Sequence, residues 1–302
     1  MRILRFNDDQ VGVLKDGDRV VDVSSVISYR IERGPQRVME ELISNFDSYR
    51  REINRIAERD KGIPLDSVKL LAPIPRPSRC LAAFVNYLDK PGRTVDQLPN
   101  EFFHKAPELV GPEGSVELSD IPAVVVFHAE TELAFVLGKH AKKVAEADAM
   151  DYIFGYVPFV DVGARGLTRR SQLLPKGQDT FALCGPWITT RDEVPDPHGL
   201  VVKSWLNGEA RQNFNTRDMA HKIPDQLSWL SKFIQLQPGD VIATGTHHVG
   251  VGPINPGDVL EIEIERLGRT RFSVKGDTPR KDVVYVAGLN RPLPPGMSIT
   301  KV

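Results

Sequence analysis

The chain has 302 residues, of which 41% are hydrophobic and 26% charged, and its formal net charge is −1. This composition is typical of a globular protein, and the lack of a broad basic field excludes nucleic acid and anionic membranes as expected partners. The two cysteines, Cys80 and Cys184, are too few and too far apart for a disulfide framework or a zinc motif. No segment of the sequence resembles a signal peptide or a membrane span, so we expect a cytoplasmic protein.

The first 70 residues are predicted to form a small α+β domain. Short strands are expected over Arg2–Phe6, Val11–Leu14 and Arg19–Val23, with a tight Asp-Gly turn before the third strand. Pro35 is expected to start a helix that continues to about Asp60, because apolar residues recur there at helical spacing. Nothing in this segment points to chemistry.

A stretch rich in proline, Leu71–Ser78, predicts a stiff connector and marks the start of a second domain, residues 71–302. This domain is predicted to be β-rich, because short apolar runs alternate with turn signals such as Asn207-Gly208. The expected elements are strands over Cys80–Val85, His128–Gly138, Tyr156–Val160 and Leu200–Leu206, helices over Glu146–Phe154 and Ile223–Leu236, and an irregular segment over residues 94–122.

The strand His128–Gly138 places two carboxylates on one face. Glu130 and Glu132 are separated by one residue, so a rise of about 3.3 Å per residue puts them roughly 6.5–7 Å apart at the backbone. Like charges at this separation repel each other, and the apolar residues before the strand predict that it is half buried. Two explanations are open: the glutamate face is solvated, or the carboxylates bind a divalent cation.

A third carboxylate, Asp161, is predicted at the C-terminal end of the strand Tyr156–Val160. Functional side chains often lie at such positions, where a strand gives way to a loop. The chain is expected to turn after Asp161, and Arg165 follows four residues later. One helical turn would then place both side chains on the same side.

Taken together, these motifs resemble the fumarylacetoacetate hydrolase family. The matching pieces lie between about Leu71 and Gly268 and are, in chain order, Asn86-Tyr87, Lys105, Glu130-Thr131-Glu132-Leu133, Gly155-Tyr156, Asp161 with Arg165, Lys176-Gly177-Gln178-Asp179-Thr180, Gly185-Pro186-Trp187, Asn207-Gly208-Glu209, Pro238-Gly239-Asp240-Val241-Ile242 with Thr244-Gly245-Thr246, and Pro256-Gly257-Asp258-Val259. The resemblance implies an α+β, β-rich fold with a mixed β-sandwich roll as its core, and a homodimer. It also implies that Glu130, Glu132 and Asp161 bind Mg²⁺ or Mn²⁺.

The resemblance assigns further roles around that metal. Lys176 is expected to hold a substrate oxygen and to add positive charge against a developing enolate, and the alternative is a lysine in a surface loop. Thr246 is expected to bind the substrate carboxylate, and Asn86 and Tyr87 are expected in the substrate-binding loop. Arg165 belongs to the site region of the family, and a purely structural ion pair is its alternative.

The sequence departs from the family in one loop. Hydrolytic members carry a histidine after Asn-Tyr and a nearby glutamate, which together activate water. Here the histidine position is Lys90, and the glutamate is also missing. Lys90 itself is one candidate replacement, provided that it is buried enough to act as a base. A histidine from elsewhere is the other: His247, directly after Thr-Gly-Thr, is placed in the catalytic set, and the alternatives are His104, His128 and His248.

The resemblance and the carboxylate set together predict a metal-dependent hydrolase. It would cleave a C–C bond in a diketo acid or an acylpyruvate-like 2-oxo acid, a small molecule, through a metal-stabilised enolate. A 2-oxo acid decarboxylase or a hydroxy-dienoate isomerase is the first alternative, because neither reaction needs an activated water. A non-catalytic metal-binding homologue is the second, and the retained Lys176, Arg165 and Thr246 argue against it.

Overall fold

The computed structural model describes residues 1–27, 34–167 and 170–277. These ranges contain four α-helices: α1 Gly34–Ser44, α2 Phe46–Arg59, α3 Leu173–Lys176 and α4 Ile223–Phe233. They also contain six short 3₁₀ helices, at Ser24–Val26, Leu65–Ser67, Val95–Gln97, Glu146–Tyr152, Arg191–Glu193 and Thr216–Asp218. Among the described residues, we find no helix with both the length and the apolar character needed to cross a membrane.

The strands of the described residues form two sheets. The larger sheet has 13 strands: β1 Arg2–Phe6, β2 Gln10–Lys15, β3 Arg19–Asp22, β4 Ile63–Pro64, β5 Leu70–Leu71, β6 Cys80–Ala83, β7 Phe102–His104, β9 Val126–Leu137, β10 Ile153–Arg165, β11 Ala182–Cys184, β12 Ile188–Thr190, β15 Val241–Ala243 and β16 Pro253–Ile254. The smaller sheet has five: β8 Ser115–Glu117, β13 Val201–Leu206, β14 Glu209–Asn215, β17 Val259–Ile264 and β18 Gly268–Lys275. The main order of the larger sheet is β4-β3-β2-β1-β12-β10-β9-β15-β6-β7, and that of the smaller is β14-β13-β17-β18-β8. The predicted α+β, β-rich class is confirmed.

The N-terminal strands form as predicted, but the single long helix is wrong. β1, β2 and β3 pair as an antiparallel meander. The helix expected from Pro35 to Asp60 is two helices, α1 and α2, because Asn45 between them leaves the helical conformation (φ −117°, ψ 22°). Its side-chain amide donates to the carbonyl of Glu41, and this competition of an asparagine side chain with the helix backbone ends α1.

The N-terminal segment shares a sheet and a core with the rest of the chain. β1 pairs with β12, and Ile3 lies opposite Ile188. Met39 of α1 belongs to the same buried hydrophobic cluster as Val136 of β9. The larger sheet therefore crosses the boundary expected near residue 70, and the division into domains 1–70 and 71–302 stays a prediction.

Two long antiparallel strands, β9 and β10, form the centre of the larger sheet. Their pairing runs from Ile153 opposite Leu137 to Arg165 opposite Val126. The strand predicted over Tyr156–Val160 is therefore too short. Eleven of the 12 residues of β9 are buried, because both faces of the sheet are covered, so the expected half-buried strand is also wrong.

Among the other predicted elements, the hairpin and the last helix are confirmed, and two segments differ in type. The Asn207-Gly208 hairpin joins β13 to β14, and both turn residues have the positive φ (53° and 81°) typical of a tight hairpin. The helix predicted from Ile223 ends at Phe233 instead of Leu236. The helix expected over Glu146–Phe154 is a 3₁₀ helix that gives way to β10 at Ile153, and the segment 94–122 contains β7 and β8.

Candidate metal centre

Three carboxylates meet in the middle of the β9–β10 pair. Glu130 of β9 lies directly opposite Asp161 of β10, and Glu132 lies opposite Phe159. One oxygen from each of Glu130, Glu132 and Asp161 lies within 4.8 Å of the other two. The three residues are 6%, 1% and 1% exposed, so a solvated glutamate face is excluded. Asp161 lies in the interior of β10 and not at the strand end expected from the sequence, and it joins the glutamates through cross-strand pairing.

Three cationic side chains surround these carboxylates. Lys176 of α3 donates to Glu130 Oε2 at 2.6 Å and to Asp161 Oδ2 at 2.7 Å. Arg165 pairs with the other oxygen of Glu130, and Lys105 pairs with Asp161 Oδ1 at 2.6 Å. Lys176 is buried, which excludes the alternative of a surface lysine.

Arg165 reaches the site by a different route from the expected one. It is the last residue of β10, because the strand continues for four residues beyond Asp161. Residues separated by two along a strand share a face, so Asp161, Gly163 and Arg165 point the same way without any helical turn. The predicted turn after Asp161 is wrong. The ion pair with Glu130 brings Arg165 to the site, and its contact with a substrate stays a prediction.

The two glutamates have opposite electrostatic surroundings. Burial alone would raise the pKa of Glu130, but the charges of Lys176 and Arg165 lower that pKa below its ordinary value. Burial, reinforced by the neighbouring carboxylates, raises the pKa of Glu132 well above its ordinary value. Glu132 accepts a hydrogen bond from the Gly245 N–H at 2.7 Å and forms no ion pair within the described part of the chain. The negative charge of Glu132 is therefore the least compensated of the three.

This set of oxygen ligands fits a hard divalent cation. Mg²⁺ and Mn²⁺ prefer carboxylate ligands, and three carboxylates outweigh a divalent charge. The position of the Lys176 ammonium, between Glu130 and Asp161, shows that the cluster already gathers positive charge. The charge of Glu132 has no such partner among the described residues, so a bound cation would stabilise it. Glu130, Glu132 and Asp161 are thus the residues that would hold the metal.

Lys105 has a place in the site for which the sequence analysis gave no role. Its buried ammonium donates to the carbonyl of Val162 at 2.9 Å and to the carbonyl of Lys176, in addition to its pair with Asp161. Burial lowers the pKa of Lys105, although the Asp161 charge opposes that shift. Lys105 therefore ties β10 to α3 behind the carboxylates. Lys105 is one of the residues that match the family, but no local spacing in the sequence reveals this role.

Thr246 is buried in the loop that follows β15. Its hydroxyl donates to the Thr131 carbonyl of β9 at 2.7 Å and accepts from Gln212 Nε2 at 2.9 Å. Gln212 of β14 also donates to the carbonyl of His247 at 2.8 Å. The smaller sheet thus fixes this loop against the carboxylate-bearing strand through Gln212, which no sequence motif marked. Binding of the substrate carboxylate by Thr246 stays a prediction.

Asn86 and Tyr87 lie next to the same loop. The Asn86 amide donates to the carbonyls of Thr244 (2.8 Å) and His221 (3.0 Å) and accepts from the His221 N–H (2.8 Å). Tyr87 is fully buried against Phe214, and burial raises the pKa of its phenol well above the ordinary value. Both residues support the backbone around the site, and a direct substrate contact by either stays a prediction.

The candidates for proton transfer lie in different surroundings. Lys90 and His104 are exposed, so Lys90 lacks the burial that its role as a base would require. Burial and nearby positive charges lower the pKa of His128 to about 4. His247 stacks on the Phe214 ring, with 5.7 Å between ring centroids.

His248 is held by a carboxylate of the loop that departs from the family pattern. Its Nδ1 lies 2.7 Å from Asp89 Oδ2. His248 is one of the alternatives expected from the sequence, whereas no sequence pattern assigns a role to Asp89. The two residues are 159 positions apart in the chain, so no local spacing could have revealed the pair.

Comparisons with known proteins identify relatives of this chain. A family model described as "Fumarylacetoacetate (FAA) hydrolase C-terminal" matches residues 79–275. The chain is 34% identical over 291 residues to the maleylpyruvate hydrolase of Aquipseudomonas alcaligenes, covering 91% of this chain and 99% of that protein. It is 33% identical over 288 residues to a mitochondrial oxaloacetate tautomerase of Xenopus laevis, covering 89% and 88% of the two chains.

One similar solved structure contains bound ligands. The crystal structure of the maleylpyruvate hydrolase from Sphingobium sp. SYK-6, in complex with manganese(II) and pyruvate, superposes on this chain with a TM-score of 0.82. The two sequences are 36% identical, and the match covers 92% of this chain and 100% of that chain. That protein therefore binds Mn²⁺ and pyruvate within the same fold.

Proposed function

This chain belongs to the fumarylacetoacetate hydrolase family, and we propose that it is a metal-dependent hydrolase that cleaves a C–C bond in an acylpyruvate-like 2-oxo acid. The observation that carries the proposal is the buried set of Glu130, Glu132 and Asp161 with Lys176 bound to it. Similarity to two maleylpyruvate hydrolases supports hydrolysis as the reaction. The manganese and pyruvate bound to one of them support Mn²⁺ or Mg²⁺ as the cofactor and a pyruvate unit in the substrate.

The side chains of the site suit a reaction that places negative charge on the pyruvate fragment. A divalent cation, when bound, supplies Lewis-acid polarisation of a carbonyl oxygen. Lys176 adds a buried positive charge beside the same carboxylates, where it stabilises an oxygen that becomes an enolate as the C–C bond breaks. Arg165 is partly exposed beside Glu130, and we propose that it binds a carboxylate of the substrate.

The charge of the site favours an anionic substrate. Three carboxylates face three cationic side chains, Lys176, Arg165 and Lys105, so their formal charges cancel when all are ionised. A bound divalent cation then leaves the centre with an excess of positive charge. Maleylpyruvate, a dicarboxylate, has the charge that would balance this excess, so we propose it as the first substrate to assay.

The test is pyruvate release from maleylpyruvate and a series of acylpyruvates, with Mn²⁺ or Mg²⁺ present. We expect turnover that stops on chelation of the metal and falls at least about a hundredfold in Glu132→Gln. Turnover that survives both chelation and this substitution would remove the metal from the proposal. If the metal-loaded protein leaves the acylpyruvates uncleaved, hydrolysis is not its reaction.

A tautomerase or isomerase is the second candidate. The lysine at position 90, in place of the family's water-activating histidine, favours it, as does the similarity to an oxaloacetate tautomerase. Rapid interconversion of the keto and enol forms of oxaloacetate, without acylpyruvate cleavage, would select this candidate. Carbon dioxide release from oxaloacetate would instead select a decarboxylase. If the protein turns over none of these acids, the alternative of a non-catalytic metal-binding homologue would be favoured.

Two further expectations stay predictions. A homodimer follows from the resemblance to the family, and its test is the molar mass in solution by light scattering. A cytoplasmic location is the expectation from the sequence, and its test is fractionation of the source cells.

A further inference from the structure

An aspartate–histidine pair bridges the two loops beside the carboxylates. The His248 ring presents Nδ1 to Asp89 Oδ2 at 2.7 Å, and the His248 backbone N–H donates to the same oxygen at 3.2 Å. The Asp89 side chain is 2% exposed, whereas that of His248 is 41% exposed. The buried Asp89 carboxylate therefore binds Nδ1 of a histidine side chain that is partly exposed to solvent.

Asp89 is fixed in the ionised form. Burial alone would raise its pKa, but hydrogen bonds from His248 and the charge of Arg93 lower that pKa to about 2. Arg93, four residues later in the same loop, pairs with the second carboxylate oxygen. An ionised carboxylate accepts hydrogen bonds only, so His248 donates Nδ1–H and leaves Nε2 with a free electron pair when the ring is neutral.

The loop that carries His248 is anchored to the carboxylate-bearing strand at both ends. β15 pairs with β9 at Ala134, and β16 pairs with β9 at His128. The connecting loop therefore spans the part of β9 that holds Glu130 and Glu132. In agreement with this placement, the Gly245 N–H of the same loop, three residues before His248, donates to Glu132 Oε2 at 2.7 Å.

We propose that His248 is the catalytic proton-transfer residue of this site and that Asp89 is its positioning residue, replacing the dyad that the family builds around the position of Lys90. This inference rests on the hydrolase function proposed above. In the family, the loop after Asn-Tyr supplies the histidine. Here that loop supplies the carboxylate, and the loop after Thr-Gly-Thr supplies the imidazole.

In this mechanism His248 both accepts and returns the proton that hydrolysis requires. His248 Nε2 takes a proton from water as the water oxygen bonds to the acyl carbonyl carbon. The bond between this carbon and the pyruvate methylene breaks, and its electron pair stays with the pyruvate fragment as an enolate. The imidazolium returns the proton to the methylene carbon, which gives pyruvate and the free carboxylic acid. Asp89 stabilises the imidazolium between these two steps.

The other histidines are less suited to this task. His247 stacks on Phe214, and its Nδ1 accepts from the Val249 N–H at 3.4 Å. His128 is held within β9, between Gly163 of β10 and Pro253 of β16, and does not lie in either of the two loops. His104 is exposed on β7, which is separated from β9 by two strands, β15 and β6.

The first test compares His248→Asn with His247→Asn in the Mn²⁺-loaded protein. We expect the kcat for maleylpyruvate to fall about 10²–10⁴-fold in His248→Asn, the usual range for loss of a general base. KM and Mn²⁺ affinity should stay within about twofold of wild type, because binding groups are intact. His140→Asn, at an exposed histidine beyond the end of β9, is the matched control and should behave as wild type.

The second test separates positioning by Asp89 from a merely structural role. In wild type, ¹⁵N NMR of the neutral ring should show His248 in the Nδ1–H tautomer. Asp89→Asn should give a mixture of tautomers and lower kcat about 10- to 100-fold, and Asp89→Glu should restore part of both readouts. Wild-type tautomer populations in Asp89→Asn would overturn the positioning role, whatever happens to activity.

Failure of the inference and failure of the proposed function are distinguishable. If wild type hydrolyses acylpyruvates and His248→Asn retains that activity, or His247→Asn loses more, the pair is not the proton-transfer group. If wild type hydrolyses no acylpyruvate, the hydrolase proposal is wrong. Exchange of pyruvate methyl protons with deuterated solvent then tests whether the Asp89–His248 pair transfers protons. Exchange that requires His248 supports it, and exchange that is absent or independent of His248 overturns it.

Discussion

Glu130 and Glu132 differ in energetic role although both lie on one face of one strand. Glu130 is paired with Lys176 and Arg165, so its negative charge stabilises the metal-free fold. Glu132 has no such partner, so burial makes its negative charge costly until a cation binds. Their spacing and the resemblance were enough to predict both as ligands. The sequence could not predict their difference, because it depends on cations contributed from β10 and α3.

Isosteric substitutions should separate the two glutamates. In metal-free protein, Glu130→Gln should lower the free energy of unfolding by on the order of 3 kcal/mol, because the buried Lys176 and the partly exposed Arg165 lose a charged partner. Glu132→Gln should leave the free energy of unfolding unchanged or raise it, because a buried, unpaired carboxylate is removed. Both variants should bind Mn²⁺ at least about tenfold more weakly, since each loses a charged ligand. Thermal unfolding in EDTA and calorimetric titration with Mn²⁺ measure the two effects.

The contrast itself is the critical outcome. A larger loss of metal-free stability in Glu132→Gln than in Glu130→Gln would contradict the assignment of charge compensation. Asp161→Asn is a useful third variant, because Asp161 pairs with two lysines and should resemble Glu130.

His128 should make the metal-free protein sensitive to mild acid. Burial, together with the charge of Arg165, depresses its pKa from 6.5 to about 4. Between pH 6.5 and 4 the unfolded chain therefore binds a proton that the folded chain does not, so stability falls as the pH falls through this window. His128→Gln should lose less stability over the same window, by up to about 3 kcal/mol. Denaturant unfolding of both proteins in EDTA at pH 7 and pH 4.5 measures the difference, and equal losses would contradict the depressed pKa.

At the scale of elements, the β9–β10 pair builds the site, and the sequence predicted one strand better than the other. β9 contains no glycine or proline that would resemble a turn, so its extent is close to the prediction. β10 contains Gly155 and Gly163, which resemble turn residues in a sequence, and it was predicted too short. In the folded strand both glycines lie close to neighbouring atoms, Gly155 to the Thr189 backbone and Gly163 to the Lys176 side chain.

Gly163 sets the position of Lys176. A Cβ at residue 163 would lie 2.9 Å from Cε and 3.0 Å from Nζ of Lys176. Because this neighbour is the end of a flexible side chain, Gly163→Ala should displace the lysine with little loss of fold stability. We expect kcat/KM to fall by about 10- to 100-fold, the scale for loss of a well-placed charge, with the melting temperature within a few degrees of wild type.

Gly155→Ala is the matched comparison on the same strand. Its Cβ would lie 2.3 Å from the backbone oxygen of Thr189, which cannot move without breaking the β10–β12 pairing. This variant should lose stability before it loses the site. Full activity in Gly163→Ala, with Lys176 still bound to both carboxylates in a crystal structure, would contradict the steric argument.

At the scale of the whole molecule, one sheet and one core connect the N-terminal segment to the metal centre. The sequence suggested a boundary at the prolines of Leu71–Ser78, because such stretches often separate domains. The pairing of β1 with β12 joins residues nearly 190 positions apart, and no local signal reports it. The N-terminal amine also donates to Thr190 Oγ1 at 2.7 Å.

The shared core predicts cooperative unfolding. The full chain should unfold in a single transition, with tryptophan fluorescence and far-UV circular dichroism giving the same midpoint. A fragment of residues 71–302 should fail to fold, because the apolar surface covered by α1, α2 and β1 becomes exposed. Two separate transitions, or a fragment that keeps Mn²⁺ binding, would show instead that the segments are independent domains.

The most direct measurement of the central claim is anomalous X-ray scattering from crystals grown with Mn²⁺ and pyruvate. We predict one strong manganese peak among the carboxylates of Glu130, Glu132 and Asp161, with pyruvate oxygens next to it and Lys176 on the pyruvate. A fully occupied manganese peak elsewhere, or pyruvate bound away from these residues, would contradict the account.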